Sequence, residues 1–261
     1  MPTSVQKAMS ILTALSRIPF NGITLSEISN VTGINKSTCV HILNALRENN
    51  YVEKISHSKG YRLGPGIYYL TRYGRFQEEL IQVCHPVMNW LHKKTGHTVL
   101  LAVIHENKKY IVHYIEGERK LEEKKSNLYQ GNVYASGTGR VMLSFFSRSE
   151  LLLFVRENGL PEEKIWPEAI DFEGLWQELR AIRKQQVLYY SMKDENVFDL
   201  GFASPVCESK GKCVGAIAIS IPKRQVPFSE DERTEFRAML GKATREIGRR
   251  LAYEEESVLQ S

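Results

Sequence analysis

With 261 residues, 42% of them hydrophobic and 25% charged, the chain can bury one large core or two ordinary ones, and no apolar run approaches the roughly 18 residues a membrane helix needs. Lys7 and Arg17 have no apolar block between them and no small-residue cleavage site follows, which argues against a signal peptide; four scattered cysteines read as reduced thiols of a cytoplasmic protein. The net charge of +5 is unevenly spread: residues 1–75 carry nine Lys and Arg against three Glu, a balance of +6, so the other 186 residues carry −1 and any polyanion-binding role falls to the first quarter of the chain.

Residues 5–17 (VQKAMSILTALSR) set Val5, Ala8, Met9, Leu12 and Leu15 on one helical face. Thr24, with Glu27 at capping-box spacing, opens a second helix whose apolar side is Leu25, Ile28 and Val31, and Gly33 ends it. Asn35 caps a third helix running to about Glu48, with Val40, Leu43, Ala45 and Leu46 inward. After Asn49 and Asn50, Tyr51–Ile55 and Tyr61–Leu63 read as two strands joined by the polar His57–Gly60 turn. Three helices followed by a hairpin make a winged helix-turn-helix.

Gly64-Pro65-Gly66 closes that domain, and Ile67–Tyr73 reads as a short helix. Phe76, Leu80, Val83, Val87 and Trp90 then follow at heptad-like spacing, a stripe that fits either an interface between copies or packing on its own domain. Pro86 interrupts the stripe, which predicts two helices meeting near His85. Strands are expected at Thr98–His105, Lys109–Ile115, Val187–Met192, Phe202–Cys207 and Cys213–Ile221, helices near 138–147, 149–158 and 171–186, and a last helix capped by Ser229 with Glu232. The order predicts an α+β fold with an antiparallel sheet.

The start of the third helix crowds small polar and basic residues onto the side away from Val40 and Leu43, as a recognition helix in a major groove requires. Lys36 and Ser37 suit phosphates, while Thr38 and His41, one turn apart, suit base edges; Asn35 and Arg47 flank this set, and Lys59 and Arg62 on the wing suit the backbone of double-stranded DNA. Ser136-Gly-Thr-Gly-Arg140 is neither a Walker loop nor a dinucleotide fingerprint, since Met142 stands where a third Gly belongs; it reads either as a plain Ser-capped helix or as a helix start whose glycines let a ligand approach bare amides. No Gly-x-Ser-x-Gly elbow, Cys-x2-Cys or His-Glu-x-x-His spacing occurs, so neither a hydrolase nor a metal cofactor is expected, although Cys207 with Cys213 and His105 with His113 flank turns.

The segments TLSEISNVTGINKSTCVHILNAL (24–46), GYRLGPGIYYL (60–70), YASGTGRVMLS (134–144), FASPV (202–206) and VGAIAISIP (214–222), in this order, resemble the IclR family of bacterial transcription regulators. The resemblance implies a winged helix-turn-helix over 1–64, a linker helix over 65–78 and a GAF-like effector-binding domain over 79–261, working as a homodimer or homotetramer on a palindromic operator, without a cofactor. It places a small polar or anionic effector against Ala135, Ser136, Gly137, Thr138, Asp194 or Glu195, Gly201 and Ser220. His41 stands where the family usually has Arg, Gly201 where many members have Cys, and Ala218 where some have a hydroxyl. An enzyme built on the second domain, or a DNA-packaging protein, would be the alternatives; the first lacks a nucleophile–base spacing and the second has no use for so large a neutral domain.

Overall fold

The computed structural model describes residues 3–16, 22–55, 60–72, 76–117, 132–194, 197–224 and 226–259, with the side chains of 192–194, 197–199, 222–224 and 253–259 outside the description. The chain divides into two compact units, Met1–Phe76 and Gln77–Ser261.

In the first unit, α1 (Ser4–Ser16), α2 (Leu25–Thr32) and α3 (Lys36–Glu48) precede β2 (Val52–Lys54) and β3 (Gly60–Leu63). A two-residue strand, β1 (Ile23–Thr24), joins them in the sheet order β1-β3-β2, all antiparallel. The Thr24–Glu27 capping box forms in both directions, and Gly33 turns left-handed at φ 68° to end α2. Ile11, Leu15, Ile23, Ile28, Cys39, Leu43 and Val52 make the core. The helical faces differ in part from expectation. Val5 and Met9 of α1 are 67% and 58% exposed while Ile11 and Ala14 are buried, Val31 of α2 is exposed, and Ala45 of α3 is exposed while Cys39 takes an inward place. One to three fully buried residues per helix close this small core, so an apolar stripe overstates the buried face. Helix α4 (Pro65–Thr71) follows, with Tyr68, Tyr69 and Leu70 exposed.

The second unit is an antiparallel sheet of five strands, ordered β5-β4-β8-β7-β6, with helices on both faces. Its strands are β4 (Thr98–His105), β5 (Lys108–Ile115), β6 (Leu188–Asp194), β7 (Val197–Cys207) and β8 (Cys213–Arg224). On one face α5 (Glu78–Thr95) and α9 (Glu230–Leu259) cover the row Val99, Ile219 and Phe202, with Leu101, Ile217 and Val206 beside it. On the other face α6 (Gly137–Leu143), α7 (Arg148–Asn158) and α8 (Phe172–Gln185) cover Leu100, Ala218, Ala203 and Leu188. The two-residue period of strands decides which residue meets which layer.

Helix α5 runs unbroken through Pro86, where two helices were expected. A proline inside a helix costs about 3 kcal/mol. Leu80, Val83, Cys84, Val87, Met88 and Leu91 are all buried against the sheet, and at about 1.5–3 kcal/mol per large side chain that burial outweighs the lost bond. Pro86 itself faces solvent, so the carbonyl it leaves without a donor can be hydrated. Leu80, Val83 and Val87 of the heptad-like stripe therefore pack on their own domain, and Phe76 is 46% exposed.

Candidate functional site

Two sets of residues are built, one in each unit. In the first, Asn35 caps α3 by accepting a hydrogen bond from the Thr38 N–H at 2.8 Å, so its side-chain oxygen holds the helix start. Lys36, Ser37 and His41 are exposed on the first two turns, and Thr38 is half-buried beside them. Cys39 and Leu43 hold the opposite side of the helix in the core, which fixes the direction the polar face looks. Arg47 is exposed in the last turn, bonded weakly to Asn44 at 3.5 Å and about 16 Å along the axis from Lys36 at 1.5 Å per residue. It belongs to the far end of the helix and not to the cluster at its start. Arg62 lies directly across β2–β3 from Glu53, and the two side chains form an ion pair. A wing cation is thus held half-neutralised, a pairing that cross-strand register would have revealed in the sequence. Lys59 lies outside the described residues.

In the second unit the backbone register assembles a single row: Tyr190 opposite Gly201, Gly201 opposite Ser220, and Ser220 opposite Thr98. The neighbouring row, Tyr189, Phe202, Ile219 and Val99, belongs to the α5–α9 face, so by alternation this row faces α6. Helix α6 begins above it. Ser136 caps the helix, its hydroxyl accepting from the Gly139 N–H at 3.2 Å and donating to the Val133 carbonyl at 3.4 Å. Gly137 and Thr138 are buried, and Ala135 and Ser136 half-buried. Gly137, Gly201 and Ser220 are therefore brought into one neighbourhood. Asp194 pairs with Val197 at the far end of β6, its side chain outside the description, and Glu195 lies outside the described residues.

The glycines have structural reasons that sequence alone hid. A Cβ on Gly137 would lie 2.4 Å from Cδ1 of Tyr190, and one on Gly201 would lie 2.3 Å from the Tyr190 hydroxyl. One aromatic edge rests on both. Gly139 is required by backbone, since its Cβ would meet the Val133 carbonyl oxygen at 2.0 Å. Tyr190 is the residue sequence reading missed; its parity with Leu188 on the α6 face was the available signal.

Arg140, next along α6, is fully engaged. Its Nε donates to the Tyr134 carbonyl at 2.7 Å, Nη2 donates to the Ile165 carbonyl at 2.9 Å, and the guanidinium lies 4.0 Å from the Trp166 ring centre. Among the described residues no group of three or more His, Cys, Asp or Glu converges as a metal site. His113 meets His85 at 2.9 Å and not His105, and Cys207 faces Cys213 across β7–β8. No described helix is long and apolar enough to cross a membrane.

Residues 76–249 match the family of bacterial transcriptional regulator IclR C-terminal domains, and residues 4–56 match the IclR helix-turn-helix domain. The transcriptional regulator KdgR of Escherichia coli K12 is 26% identical over 96% of this chain and 93% of its own. An IclR transcriptional regulator from Alicyclobacillus acidocaldarius has the same fold at a TM-score of 0.70 and 19% identity, covering 97% of this chain and 100% of that one. An IclR homologue from Microbacterium hydrocarbonoxydans, crystallised with 4-hydroxybenzoate, aligns with a TM-score of 0.70 and 19% identity over 95% of this chain and 99% of that one. With a helix-turn-helix at one end and the matching effector-binding domain over two thirds of its length, the chain belongs to the IclR family of transcriptional regulators.

Proposed function

We propose that the protein is a cytoplasmic regulator that binds a palindromic operator as a homodimer or homotetramer and releases or engages it when a small polar or anionic effector enters a GAF-like domain. In this reading residues 1–64 bind DNA, 65–78 link, and 79–261 sense. Lys36 and Ser37 hold phosphates, Thr38 and His41 read base edges, and Lys59, Arg62 and Arg47 steady the backbone contacts. Paired heads are needed because a single winged helix reads too short a site for useful specificity.

The observation that carries the effector reading is the row of Tyr190, Gly201 and Ser220 beneath the start of α6. The first turn of a helix leaves N–H groups without helical partners, and the dipole there is worth about 0.3–1 kcal/mol to an anion, up to about 2 when sheltered. Ser136 uses its hydroxyl on Gly139, which leaves the amides of Gly137 and Thr138 for the ligand. Ser220 supplies a hydroxyl from the sheet, and Asp194 or Glu195 an acceptor for a ligand hydroxyl. The ring of Tyr190 occupies the space over both glycines, so effector and ring compete for it and entry turns the ring out. The similar chain that was crystallised with 4-hydroxybenzoate supports a small carboxylate as the kind of ligand.

Thermal-shift screening of small acids and sugar acids against the full chain identifies the effector. Gly137→Val and Ser220→Ala then weaken its binding and its effect on operator binding. Unchanged affinity and unchanged DNA response in both variants would place the pocket elsewhere.

A further inference from the structure

Lys109 stands where the fold calls for an apolar residue. On β5, Tyr110 and Val112 pack toward α5 and α9, whereas Ile111 packs toward α6–α8, and Lys109 shares the parity of Ile111. It lies opposite Ile104 in the register with β4 and is 6% exposed. Among the described residues it is the only charged side chain in the buried class. A buried ammonium is expensive unless something answers its charge. Arg140 shows how this domain treats a sheltered cation, with two carbonyls and an indole face around the guanidinium. The Lys109 ammonium has no hydrogen bond and no ion pair with any described residue, and its Nζ opens on a cavity. Burial alone pushes its ammonium down to about 8, with no carboxylate pulling the other way.

The side chain lines a cavity of about 370 Å³ between β5, the strand-to-helix turn before α6 and the end of α7. Val133, Phe154 and Leu160 give it apolar walls, and Asn107, Asn132 and Asn158 give it amides. Asn132 accepts from the Tyr134 N–H at 2.9 Å through its oxygen, which leaves its NH₂ as a donor. The other charges nearby are committed elsewhere or exposed. Glu162 pairs with Lys164 at 2.7 Å, Glu157 accepts from Asn107 at 2.6 Å, and Lys108 is exposed. The Tyr134 hydroxyl donates to the Gly159 carbonyl at 2.7 Å, and burial raises it to about 12, so it stays neutral.

We propose that this cavity is a second ligand site, separate from the row beneath α6, in which Lys109 binds the carboxylate of a small organic acid while the Asn132 amide binds a polar substituent, the Asn107 and Asn158 amides being held by Glu157 and the Phe154 carbonyl, and Val133, Phe154 and Leu160 pack on its carbon skeleton. Lys109 is the one buried cation of the lining, while Lys108 and the Lys164-paired Glu162 stand at its exposed rim, and apolar walls beside a buried ammonium fit a small organic acid over an inorganic ion.

The test uses the full-length protein with acetate, lactate and benzoate at constant ionic strength, against chloride, read by thermal shift and by calorimetric titration. The expected result is binding of at least one acid in the millimolar range or tighter, weakened at least tenfold by Lys109→Met. Asn132→Asp keeps the acceptor for Tyr134 and places an internal carboxylate in the cavity, and it should block the acid to a similar degree. Because the row beneath α6 is itself proposed to take small carboxylates, the comparison is repeated in a Gly137→Val background, where Lys109→Met should still weaken the remaining acid binding at least tenfold: loss of all acid binding by Gly137→Val alone would locate it beneath α6 and overturn the proposal. Affinity should fall as pH rises from 7 to 9.5, because the ammonium is the binding form. No binding by any of the acids to the wild-type chain at 10 mM, equal binding by wild type and Lys109→Met, or a flat pH profile would each overturn it as well.

Discussion

Replacing Gly201 with Ala tests whether Tyr190 and the two glycines form one packed unit. The new methyl would lie 2.3 Å from the Tyr190 hydroxyl and 2.4 Å from Cζ, far inside contact distance, so the ring must move. Its Cδ1 edge already rests on Gly137, which closes that direction to the ring. Overpacking of this kind costs about 1–3 kcal/mol, while removing a glycine from mid-strand returns about 0.5–1, so Gly201→Ala should destabilise by about 1–2 kcal/mol. In a Tyr190→Ala background only the strand gain remains, and the same change should stabilise by about 0.5–1 kcal/mol. The sign reverses, giving a coupling of about 1–3 kcal/mol in a double-mutant cycle. Urea unfolding of the four full-length proteins, followed by far-ultraviolet circular dichroism, measures it; the corresponding shift in Tm is about 2–4 °C per kcal/mol for a domain of this size. Equal destabilisation by Gly201→Ala in both backgrounds would refute the packing argument.

Operator binding by the full chain should show a log–log salt slope of about −5 to −7 per head for six to eight phosphate contacts; Lys36→Ala should lower the slope by about 1 for every sequence, whereas Thr38→Ala and His41→Ala should alter preference between sequences. Glu53→Gln frees Arg62 and should steepen the slope by about 1, and an unchanged slope would remove Arg62 from the DNA contacts. Gly139→Ala should cost more stability than Gly137→Ala, about 2–4 kcal/mol, because its methyl meets backbone and not a side chain that can turn. Because burial lowers Lys109 from 10.5 to about 8, the unfolded chain holds a proton that the folded one lacks between those values, so wild-type stability relative to Lys109→Met should rise by about 3 kcal/mol from pH 8 to 10.5 and stay level below 8; chemical denaturation across that range decides it. Sedimentation at micromolar concentration should give a dimer or larger, and a monomer would end that part of the reading.

Strand positions were readable where an apolar run ends at polar turn residues: Thr98–His105 forms as expected and the Ser229–Glu232 box starts α9 one residue on, whereas β7 begins at Val197, five residues before the expected Phe202. Helix boundaries announced by side-chain caps, at Thr24, Asn35 and Ser136, were equally legible. The errors fall where burial across the fold overrules a local rule. Pro86 reads locally as a break, and only the six buried neighbours on α5 show why it is carried. Val5 and Val31 read as core because nothing in their own helices says which short face meets a neighbour. Gly137 and Gly201 were visible as unusual, but the ring that explains them comes from a strand known only through register. Lys109 was invisible for the same reason: a lysine next to a lysine at a strand start looks like a solvated turn until β4 and α7 close over it.

The pairing of β4 with β8 bears on how the protein is made. Thr98 finds its partner Ser220 only after about 120 further residues have been synthesised, and without β8 the strand pairs β4–β5 and β6–β7 have nothing to join them. At about 5–20 residues per second that is an interval of roughly 6–24 seconds, long against the folding time of a small helical unit. The core of the N-terminal unit draws on residues between Ile11 and Leu63 and is complete well before this. A nascent chain thus completes its helix-turn-helix core while the sensing domain is still an unfinished sheet, and synthesis halted between the two would leave a DNA-binding module with nothing attached to make it answer a ligand.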